Sequence, residues 1–537
     1  MVKTIDCLLI GNYEMSIEEQ IINVRAEEGS DSVKARDLEL LYVKYKNKYY
    51  TQTELFNKFF YDENGNKDNL GHIKHGSTLS SAVIYLYNYL SKRGLSVQFI
   101  NEFKSQRDEL SQQLLQDNIS SIAISTTFFH SPYEIKQIIK FIREINPKIK
   151  IILGGPFVIT ITTTLDDETM LQKYFSEFDA DYYICSSEGE TALVELVRAI
   201  KNQGDLDQIK NIYYRKGTEY KFTSAVLENN SFEDEVIDWS LFGDKLDSMI
   251  NLRTAKSCPF SCAFCSFPSY AGPFRTAEVD IVEKMLDNIS KYDKVTRISF
   301  VDDTINIPVN RYKEILRMMI KNKYKFKWKA YFRCQYADRE MVELMKESGC
   351  ECAFLGIESG SQTILNNLNK KATLEQYYNG LSLLNEYGIT SFASLIIGFP
   401  GETYETFLNT KKFIEETKPT FFRARHWIYT PSSPIGKDKD KFELIGMYHN
   451  WSHKTMDSSR AVELLRDLIL SIKNSVFINS DFDDYILMHL LERGLSLEKI
   501  KEFFTYYNIV LRDKILNPKS KGVSEEIAEK FREVCQK

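Results

Sequence analysis

The stretch KSCPFSCAFCSFPSYAG, from Lys256 to Gly272, contains three of the nine cysteines of this 537-residue chain. Cys258, Cys262 and Cys265 follow a C-x3-C-x2-C spacing in a loop that also contains proline and serine. Cysteines this close together in a reduced protein indicate a metal or iron–sulfur site rather than a disulfide framework. Three thiolates are one fewer than a structural zinc ion or an electron-transfer cluster takes.

Three interpretations of this cysteine group stay open from spacing alone. The first is a [4Fe–4S] cluster whose fourth iron position is left for a small molecule. The second is a zinc site in a regulatory or scaffold protein, completed by a distant cysteine, for which Cys334, Cys350 and Cys352 are the candidates. The third is simple packing of the three side chains in a turn.

Length and composition describe an ordinary globular chain with more than one domain. Hydrophobic residues make up 43% and charged residues 27%, and the net charge is −6. The absence of a dense basic block argues against a nucleic-acid surface as the main function. No apolar run approaches the roughly 18 residues of a membrane span, and the start of the sequence is typical of a buried strand rather than a signal peptide. We therefore expect a cytoplasmic protein without a membrane partner.

The first 200 residues alternate between short apolar runs and helical patterns, which predicts an α/β fold. Helices are expected at 79–94 and 131–147, and strands at 119–127 and 148–156. Strands buried on both faces and joined by helices indicate a doubly wound, Rossmann-like parallel sheet. Ligands of such sheets lie beyond the carboxyl ends of the strands, where this sequence has Ser125, Thr126, Thr127, Gly154, Gly155, Ser187 and Glu188.

Three further regions follow in the predicted organisation. Residues 201–245 are expected to be a linker with a small hairpin. Residues 246–450 contain six strand–helix units, which predict a partial (β/α)6 barrel with the cysteine loop after its first strand, at the end where barrel chemistry occurs. Residues 451–537 are expected to be helical and without strands. The expected barrel helices are 277–291, 309–322, 338–348, 373–387 and 403–417.

The segment CPFSCAFC resembles the cluster loop of the radical S-adenosylmethionine (SAM) enzymes. The resemblance implies a [4Fe–4S] cluster on Cys258, Cys262 and Cys265, with the open iron chelated by SAM. FVDDTIN (300–306), LGIESGSQTILNNLNK (355–370) and IIGFPGET (396–403) resemble SAM-contacting segments of that family. The implied SAM-binding residues are Phe264, Asp302, Asp303, Arg333, Glu358, Ser359 and Gly398. Helix capping near Asp303 and an Arg333–Glu358 salt bridge are the alternative interpretations.

A doubly wound domain before such a barrel resembles the cobalamin-binding class of this family. ILGGP and SSEGE resemble loops around the corrin and its nucleotide tail, so the strand-end residues of the first region are the implied cobalamin-binding residues. The Asp-x-His-x-x-Gly cobalt-ligand signature is absent, which implies cobalt without a protein imidazole. DCLLIGNYEM, GGPFV and WSHKTMD further resemble the phosphinothricin-type P-methylase subgroup, although Ser266 replaces its usual glycine.

The resemblance implies a methyltransferase acting on a phosphinate phosphorus or an unactivated carbon centre in natural-product biosynthesis. It would work through a 5′-deoxyadenosyl radical and methylcobalamin, on a small molecule or peptide, with electrons from a flavodoxin or ferredoxin. A cobalamin-dependent cyclase or rearrangement enzyme is the alternative within the family. His426, Trp427 and Tyr429 on the last predicted barrel strand are candidate substrate-pocket residues, and core packing explains Trp427 equally well.

Overall fold

The chain divides into two compact units that interleave along the sequence. The computed structural model describes residues 3–129, 131–165, 167–479 and 483–536. Unit 1 comprises Met1–Glu14, His75–Pro259 and Phe267–Asp302, and unit 2 comprises Met15–Lys74, Phe260–Ser266 and Asp303–Lys537. The predicted divisions at 200, 245 and 450 stay predictions, since these units follow spatial contact rather than chain order.

Unit 1 contains a seven-stranded sheet with the strand order β7-β6-β5-β4-β3-β1-β2. Strands β1 to β5 are parallel, and the order reverses at β1, which lies between β2 and β3. This arrangement confirms the predicted doubly wound sheet, whose reversal point is where such folds bind ligands. The strands are β1 Cys7–Asn12, β2 Val97–Glu102, β3 Ser121–Ser125, β4 Lys150–Gly154, β5 Tyr182–Ile184, β6 Ile212–Lys216 and β7 Glu219–Phe222.

The connecting helices of unit 1 bury apolar residues, and α3 (Pro132–Ile145) also begins with a local capping signal. In α3 a capping box joins Ser131 and Glu134, and the isoleucines at helical spacing are buried. The pattern of apolar residues therefore placed this helix correctly to within two residues of its ends. The other helices are α1 Ser81–Lys92, α2 Arg107–Gln116, α4 Pro156–Thr164, α5 Glu168–Phe178 and α6 Glu190–Asn202.

The predicted linker hairpin is part of the main sheet of unit 1. Its strand β6 pairs antiparallel with β5 through Tyr213↔Tyr183, and β7 pairs with β6 at the edge. The linker prediction was wrong for these residues because a polar hairpin sequence does not reveal which sheet edge it will extend.

Unit 1 also includes the segments on either side of the cysteine loop. Strand β8 (Met249–Leu252) pairs parallel with β11 (Arg297–Phe300), and β9 (Ala255–Lys256) pairs antiparallel with β10 (Arg275–Thr276). Helix α7 (Val279–Ser290) precedes β11. Cys258 lies two residues after β9. The antiparallel pair of β9 and β10 therefore holds the segment that leads into the cysteine loop.

Unit 2 contains four long parallel strands in chain order. The register pairs Gly356 with Ser394 and Ile397 with His426, so the carboxyl ends lie at one edge. The expected strand–helix units occur with ends within a few residues of prediction. The strands of this unit are β12 Lys327–Phe332, β13 Cys350–Glu358, β14 Thr390–Ile397, β15 Phe421–His426, β16 Ile445–Met447, β17 Asn450–His453, β18 Met456–Asp457 and β19 Val476–Phe477. The helices after Asp303 include α8 Val309–Lys321, α9 Arg339–Glu347, α10 Leu374–Glu386 and α11 Tyr404–Thr417.

The region after residue 450 is mainly helical, but the expectation of no strands was wrong. β17 and β18 form a small antiparallel sheet with β16, and β19 extends the parallel sheet beside β15. Two-residue strands are too short for any periodicity to reveal them. The helices are α12 Ser458–Ser471, α13 Asp483–Glu492, α14 Leu497–Leu516 and α15 Glu525–Val534.

Residues 15–74 belong to unit 2 rather than to the preceding sheet. They form the helices Ile17–Glu28, Val33–Leu38 and Gln52–Asn57 and an antiparallel pair, Tyr42–Tyr45 with Lys48–Thr51. Among the described residues of the whole chain, no helix combines the length and apolarity needed to cross a bilayer.

Candidate active site

The second half of the cysteine loop is held in unit 2 by backbone hydrogen bonds. The Ala263 amide donates to the Leu368 carbonyl at 2.8 Å, and the Cys265 amide donates to the Cys262 carbonyl at 3.0 Å. The Asn369 side chain donates to the Ser261 carbonyl at 2.7 Å. The segment after β13 therefore fixes this part of the loop before any ligand is considered.

Arg333, directly after β12, makes the most specific contact to a predicted cluster ligand. Its Nη2 donates to the buried Cys262 sulfur at 3.0 Å, and its guanidinium stacks on the Phe260 ring with the carbon 3.5 Å from the centroid. Asn306 makes two hydrogen bonds of 3.0 Å with the backbone of Arg333. A buried guanidinium stabilises a thiolate, so this arrangement fits a negatively charged sulfur ligand.

Glu358, at the end of β13, is paired with a lysine that the sequence interpretation missed. Lys370 Nζ lies 2.9 Å from Glu358 Oε1, and both side chains are less than a tenth exposed. The same ammonium lies 5.8 Å from the centroid of Phe264. A Cβ at Gly356 would come within 3.0 Å of both charged groups, so glycine is required beside the pair. The predicted Arg333–Glu358 salt bridge is replaced by this Glu358–Lys370 pair.

Ser359 and Gly398 lie in turns that hold the ends of β13 and β14. The Ser359 hydroxyl is fully buried, 3.1 Å from the Thr410 hydroxyl, and accepts from the Ser361 amide. Gly398 has φ +89, and its amide donates to Glu402 Oε2. Burial raises the pKa of Glu402 to about 8, and its other carboxyl oxygen is buried without a hydrogen-bond partner among the described residues. Glu402 is therefore a neutral acid at physiological pH.

Asp302 holds the strand that leads into the cysteine loop. It is 1% exposed, and its carboxylate accepts from the amides of Thr254 and Ala255 at 2.6 and 2.8 Å and from the Thr254 hydroxyl at 2.5 Å. Asp302 and Cys258 both belong to unit 1. Asp303, in unit 2, is exposed, and its carbonyl accepts from Thr304. The two adjacent aspartates thus have different environments.

Glu188 takes part in a buried ion-pair network of unit 1. Its carboxylate pairs with Lys256 at 2.6 Å and with Arg275. Lys256 also pairs with Glu235 at 2.6 Å, and Glu235 pairs with Arg253 at 2.8 Å. Opposite charges satisfy these buried groups, so the network anchors β9 and β10, which flank the cysteine loop, to the end of the first sheet.

The remaining strand-end residues of unit 1 form an uncharged, compact edge. Thr126 donates through its hydroxyl and its amide to the Gly154 carbonyl at 2.9 and 2.8 Å. The Ser125 and Thr127 hydroxyls lie 2.9 Å apart. Gly155 has φ +107, and a Cβ there would lie 3.0 Å from the Thr126 hydroxyl, so only glycine fits.

Ser187 lines an open cleft of about 530 Å³ on unit 1. The cleft is lined by both apolar and hydroxyl side chains. Its lining residues are Ile159, Thr162, Thr163, Cys185, Ser186, Ser187, Tyr213 and Phe222.

Two of the three distant cysteines, Cys334 and Cys350, are buried thiols in the core of unit 2. Burial raises the pKa of Cys334 to about 12 and that of Cys350 well above its usual range. Both thiols donate to carbonyls, Cys334 to Tyr377 at 3.8 Å and Cys350 to Cys352 at 3.7 Å. These are protonated core side chains, which weakens the zinc interpretation that required one of them.

The three candidate pocket residues after β15 are all buried. Trp427 packs on Phe399 and Trp451, with centroids 5.2 and 5.1 Å away, which supports the core-packing alternative. His426 contacts Asp37 and His449 instead of an open cavity. The sequence analysis missed Lys370 as the partner of Glu358 and His449 as the partner of His426, because such contacts leave no local sequence pattern. Glu402 was also missed, although it lies in the quoted segment IIGFPGET.

Comparison with known proteins finds similarity to radical SAM enzymes. A profile of the radical SAM superfamily matches residues 252–414. An uncharacterized methyltransferase of Pyrococcus horikoshii is 28% identical over 58% of this chain and 67% of the relative. The anaerobic magnesium-protoporphyrin IX monomethyl ester cyclase of Rubrivivax gelatinosus is 25% identical over 75% and 74%. Bacteriochlorophyllide d C-12(1)-methyltransferase of Chlorobaculum tepidum is 31% identical over 44% and 53%.

Two solved structures share the fold. The radical SAM methyltransferase TsrM of Kitasatospora setae, with cobalamin and a [4Fe–4S] cluster bound, has a TM-score of 0.61 at 15% identity, covering 86% of this chain and 97% of that one. The cobalamin-dependent SAM radical enzyme OxsB, with aqua-cobalamin and SAM bound, has a TM-score of 0.60 at 15% identity, covering 99% and 79%. The predicted α/β fold and enzyme class are confirmed, whereas the phosphinate subgroup stays a prediction.

Proposed function

We propose that Cys258, Cys262 and Cys265 hold a [4Fe–4S] cluster with one iron position left for SAM, because residues 252–414 match the radical SAM superfamily. The observation that carries this proposal is the 3.0 Å hydrogen bond from Arg333 to the buried Cys262 sulfur. A cation that stabilises one sulfur lowers the free energy of the deprotonated ligand and tunes a bound cluster. The donor set and this partner fit the group.

The chain's own residues suit the polar ends of SAM. The buried Glu358–Lys370 pair offers a carboxylate for an ammonium group and an ammonium for a carboxylate, at the end of β13. Phe264 offers an aromatic face near Lys370. Gly398 is buried and its amide and carbonyl are bonded to Glu402 and His453, so we assign it to holding its turn. We assign Asp302 and Ser359 to positioning of these segments, since both are saturated by contacts within the protein.

We further propose that the uncharged edge of unit 1 binds cobalamin. Gly154 and Gly155 allow backbone approach, the hydroxyls of Ser125, Thr126 and Thr127 can hydrogen-bond amide groups, and the cleft beside Ser187 suits the nucleotide tail. Support comes from the two structures of similar fold that contain this cofactor. Glu188 is better assigned to anchoring Lys256 and Arg275 than to ligand contact.

Methyl transfer is the reaction that we favour, on a phosphinate phosphorus or an unactivated carbon of a small molecule or peptide. When bound, the cofactors supply a radical initiator and a methyl donor; the protein binds and orients them and keeps water away. The relatives named as methyltransferases favour this reaction. The relative named as a cyclase makes ring formation the second candidate.

Anaerobic reconstitution tests the cluster proposal. The wild-type chain should bind iron and sulfide and cleave SAM under reduction, and Cys262→Ala should lose SAM cleavage entirely. The matched control is Cys334→Ala, which removes a buried thiol that we do not assign to the cluster and should retain iron. Iron-free wild-type protein, or loss of metal in the Cys334 variant, would overturn the assignment.

The reaction class needs a separate measurement. Co-purification of cobalamin and a product heavier than the substrate by one CH2 unit would support methyl transfer, whereas an unchanged carbon count with ring formation would favour the cyclase. We expect a flavodoxin or ferredoxin as electron donor. The cytoplasmic location stays a prediction, consistent with nine free cysteines.

A further inference from the structure

Three side chains of unit 2 form a continuous line of contacts at the end of β15. His426 Nδ1 lies 3.2 Å from Asp37 Oδ1, and His426 Nε2 lies 3.0 Å from His449 Nδ1. The His426 side chain is completely buried, whereas His449 is half-buried. Asp37 comes from the helix Val33–Leu38, and His449 from the β16–β17 turn. We call Asp37, His426 and His449 the histidine chain.

Charge complementarity among these three side chains favours one set of tautomers. A carboxylate carries no proton, so a proton on His426 Nδ1, 3.2 Å from Asp37 Oδ1, is favoured over a lone pair there. In the neutral state His426 Nε2 is then an acceptor, His449 Nδ1 must donate to it, and His449 Nε2 keeps its lone pair. One added proton reverses the direction of the hydrogen bond between His426 and His449. His426 then carries both protons, His449 Nδ1 accepts, and His449 Nε2 bears the hydrogen.

Electrostatics decide which ring stores the added proton. Burial, followed by the neighbouring charge of His426, lowers the pKa of His449 to about 4. Burial opposes ionisation of Asp37, but His426 and then Arg425 outweigh it and lower its pKa. Lys34 disfavours and Glu28 favours a charge on His449. Because His426 is the ring that contacts the Asp37 carboxylate, a proton added to the pair has its anionic partner there.

Two other buried histidines, His453 and His489, differ from His449 in the surroundings of their ring nitrogens. His453 Nδ1 accepts from the Thr455 amide, so its Nε2 donates to the Gly398 carbonyl at 3.1 Å, and both nitrogens have partners. His489 is 3.6 Å from Glu492 inside the core. For His449 Nε2 no hydrogen bond is found within the described part of the chain, although the ring reaches solvent.

The histidine chain lies at the carboxyl end of β15, and β/α folds place their catalytic residues at the carboxyl ends of strands. His426 is the last residue of β15 and is in register with Ile397 beside Gly398. The backbone bridge between Tyr429 and Tyr448 holds the turn that contains His449 against the continuation of β15. Carboxyl strand ends are where such folds place reacting groups.

We propose that the histidine chain is a proton relay that accepts a proton from an O–H or N–H group of the substrate. His449 Nε2 forms the new N–H bond, the electron pair of the broken bond stays on the substrate atom, and the His449 Nδ1 proton passes to His426 Nε2. Asp37 keeps its charge and stabilises the imidazolium. This deepens the proposed function, on which it rests for the location of the substrate, and it assigns His449 as catalytic and Asp37 and His426 as positioning residues.

Nitrogen-15 NMR of the full chain, labelled at histidine and without added SAM, tests the relay apart from the cofactors. Two-bond correlations should show the Nδ1–H tautomer of His449 at high pH, and the first proton taken up on lowering the pH should appear on His426. Asp37→Asn should lower the apparent pKa of the pair by about one unit or more, because an adjacent negative charge is removed.

Glu492→Gln, beside His489, is the matched control and should leave the titration of the pair unchanged. Protonation of His449 before His426, or an unmoved titration in Asp37→Asn, would overturn the relay. If Asp37→Asn fails to fold, His449→Gln at the half-exposed turn replaces it. Turnover by that variant should then lose the acidic limb of the pH–rate profile, and an unchanged limb would refute the proposal.

Discussion

The residues at the carboxyl ends of the strands are mainly uncharged in unit 1 and charged in unit 2. In unit 1, Thr126 and its neighbours satisfy one another and the Gly154 carbonyl without formal charge. In unit 2, Arg333 holds a cysteine sulfur, and Glu358 is paired with Lys370. An uncharged edge with exposed backbone suits a large ligand bound through many weak contacts. Buried charges suit a few short, directional bonds to a reactive group.

Glu188 in unit 1 and Glu402 in unit 2 depart from these patterns. Glu188 is charged in unit 1, but Lys256 and Arg275 neutralise it within the network. Glu402 is uncharged in unit 2, and no ion pair to it is found among the described residues. Glu188 and Glu402 are the same residue type, so the difference in their charge comes from the partners that surround each carboxyl group.

Removing the charge at Arg333 should have the largest effect of the substitutions that test this comparison. Arg333→Met leaves the Cys262 sulfur buried without its hydrogen bond, so we expect a 10- to 100-fold loss of SAM cleavage, the order found for partners of metal ligands. Iron content and the cleavage rate are the measurements. Arg317→Met, at an exposed arginine bonded to Glu340, is the control. Wild-type cleavage by the Arg333 variant would show that the charged edge is not needed.

A side chain at Gly155 tests the uncharged edge. Gly155→Val would press against the Thr126 hydroxyl and amide, 3.0 and 3.2 Å from the Cβ position, and we expect about tenfold weaker cobalamin retention. Gly217→Val is matched, because Gly217 also has positive φ, +68, but nothing lies within 4 Å of its Cβ position. Both variants should lose roughly 1 kcal/mol of stability through backbone strain. Equal retention by the two would refute a ligand at this edge.

The Glu402 substitution should have the smallest effect on activity, and its effect should appear in stability instead. Burial raises its pKa from 4.5 to about 8, so between these values the folded state binds more protons than the unfolded state. The free energy of unfolding of the wild type should fall over this pH range. Glu402→Gln removes that contribution, and its stability relative to wild type should rise from pH 4.5 to 8 and then level off.

Anaerobic urea unfolding across this pH range measures the Glu402 effect. Glu386→Gln, at an exposed carboxylate paired with Arg339, is the control and should change little, since exposed ion pairs contribute little. Parallel pH curves for wild type and Glu402→Gln would show that the buried carboxyl is ionised after all.

Short-range patterns predicted most of the fold. The helix expected at 309–322 spans Val309–Lys321, and the strand CECAFLGIES spans Cys350–Glu358, because periodic burial is written directly into neighbouring residues. The hairpin at 209–224 was recognised, but its place in the first sheet was not. A sequence pattern records that a face is buried and does not record what buries it.

Side-chain partners were harder to predict because they join distant parts of the chain. Arg333 was expected near SAM, and its contact with Cys262 crosses 71 positions. Lys370 was missed as the partner of Glu358, although only 12 positions separate them. Asp37 reaches His426 from a segment that the sequence interpretation had assigned to the first domain. In each case burial decides the partner, since an ionised group cannot stay buried alone.

The sequence by itself determined the alternation of strands and helices and the position of three cysteines after a strand. Both depend on contacts between residues a few positions apart. Only the tertiary structure decided which charges meet at the strand ends, because ion pairs and histidine tautomers depend on exclusion of water by segments hundreds of residues apart. The cysteine spacing thus specifies where chemistry can occur, and the buried partners specify how it is held.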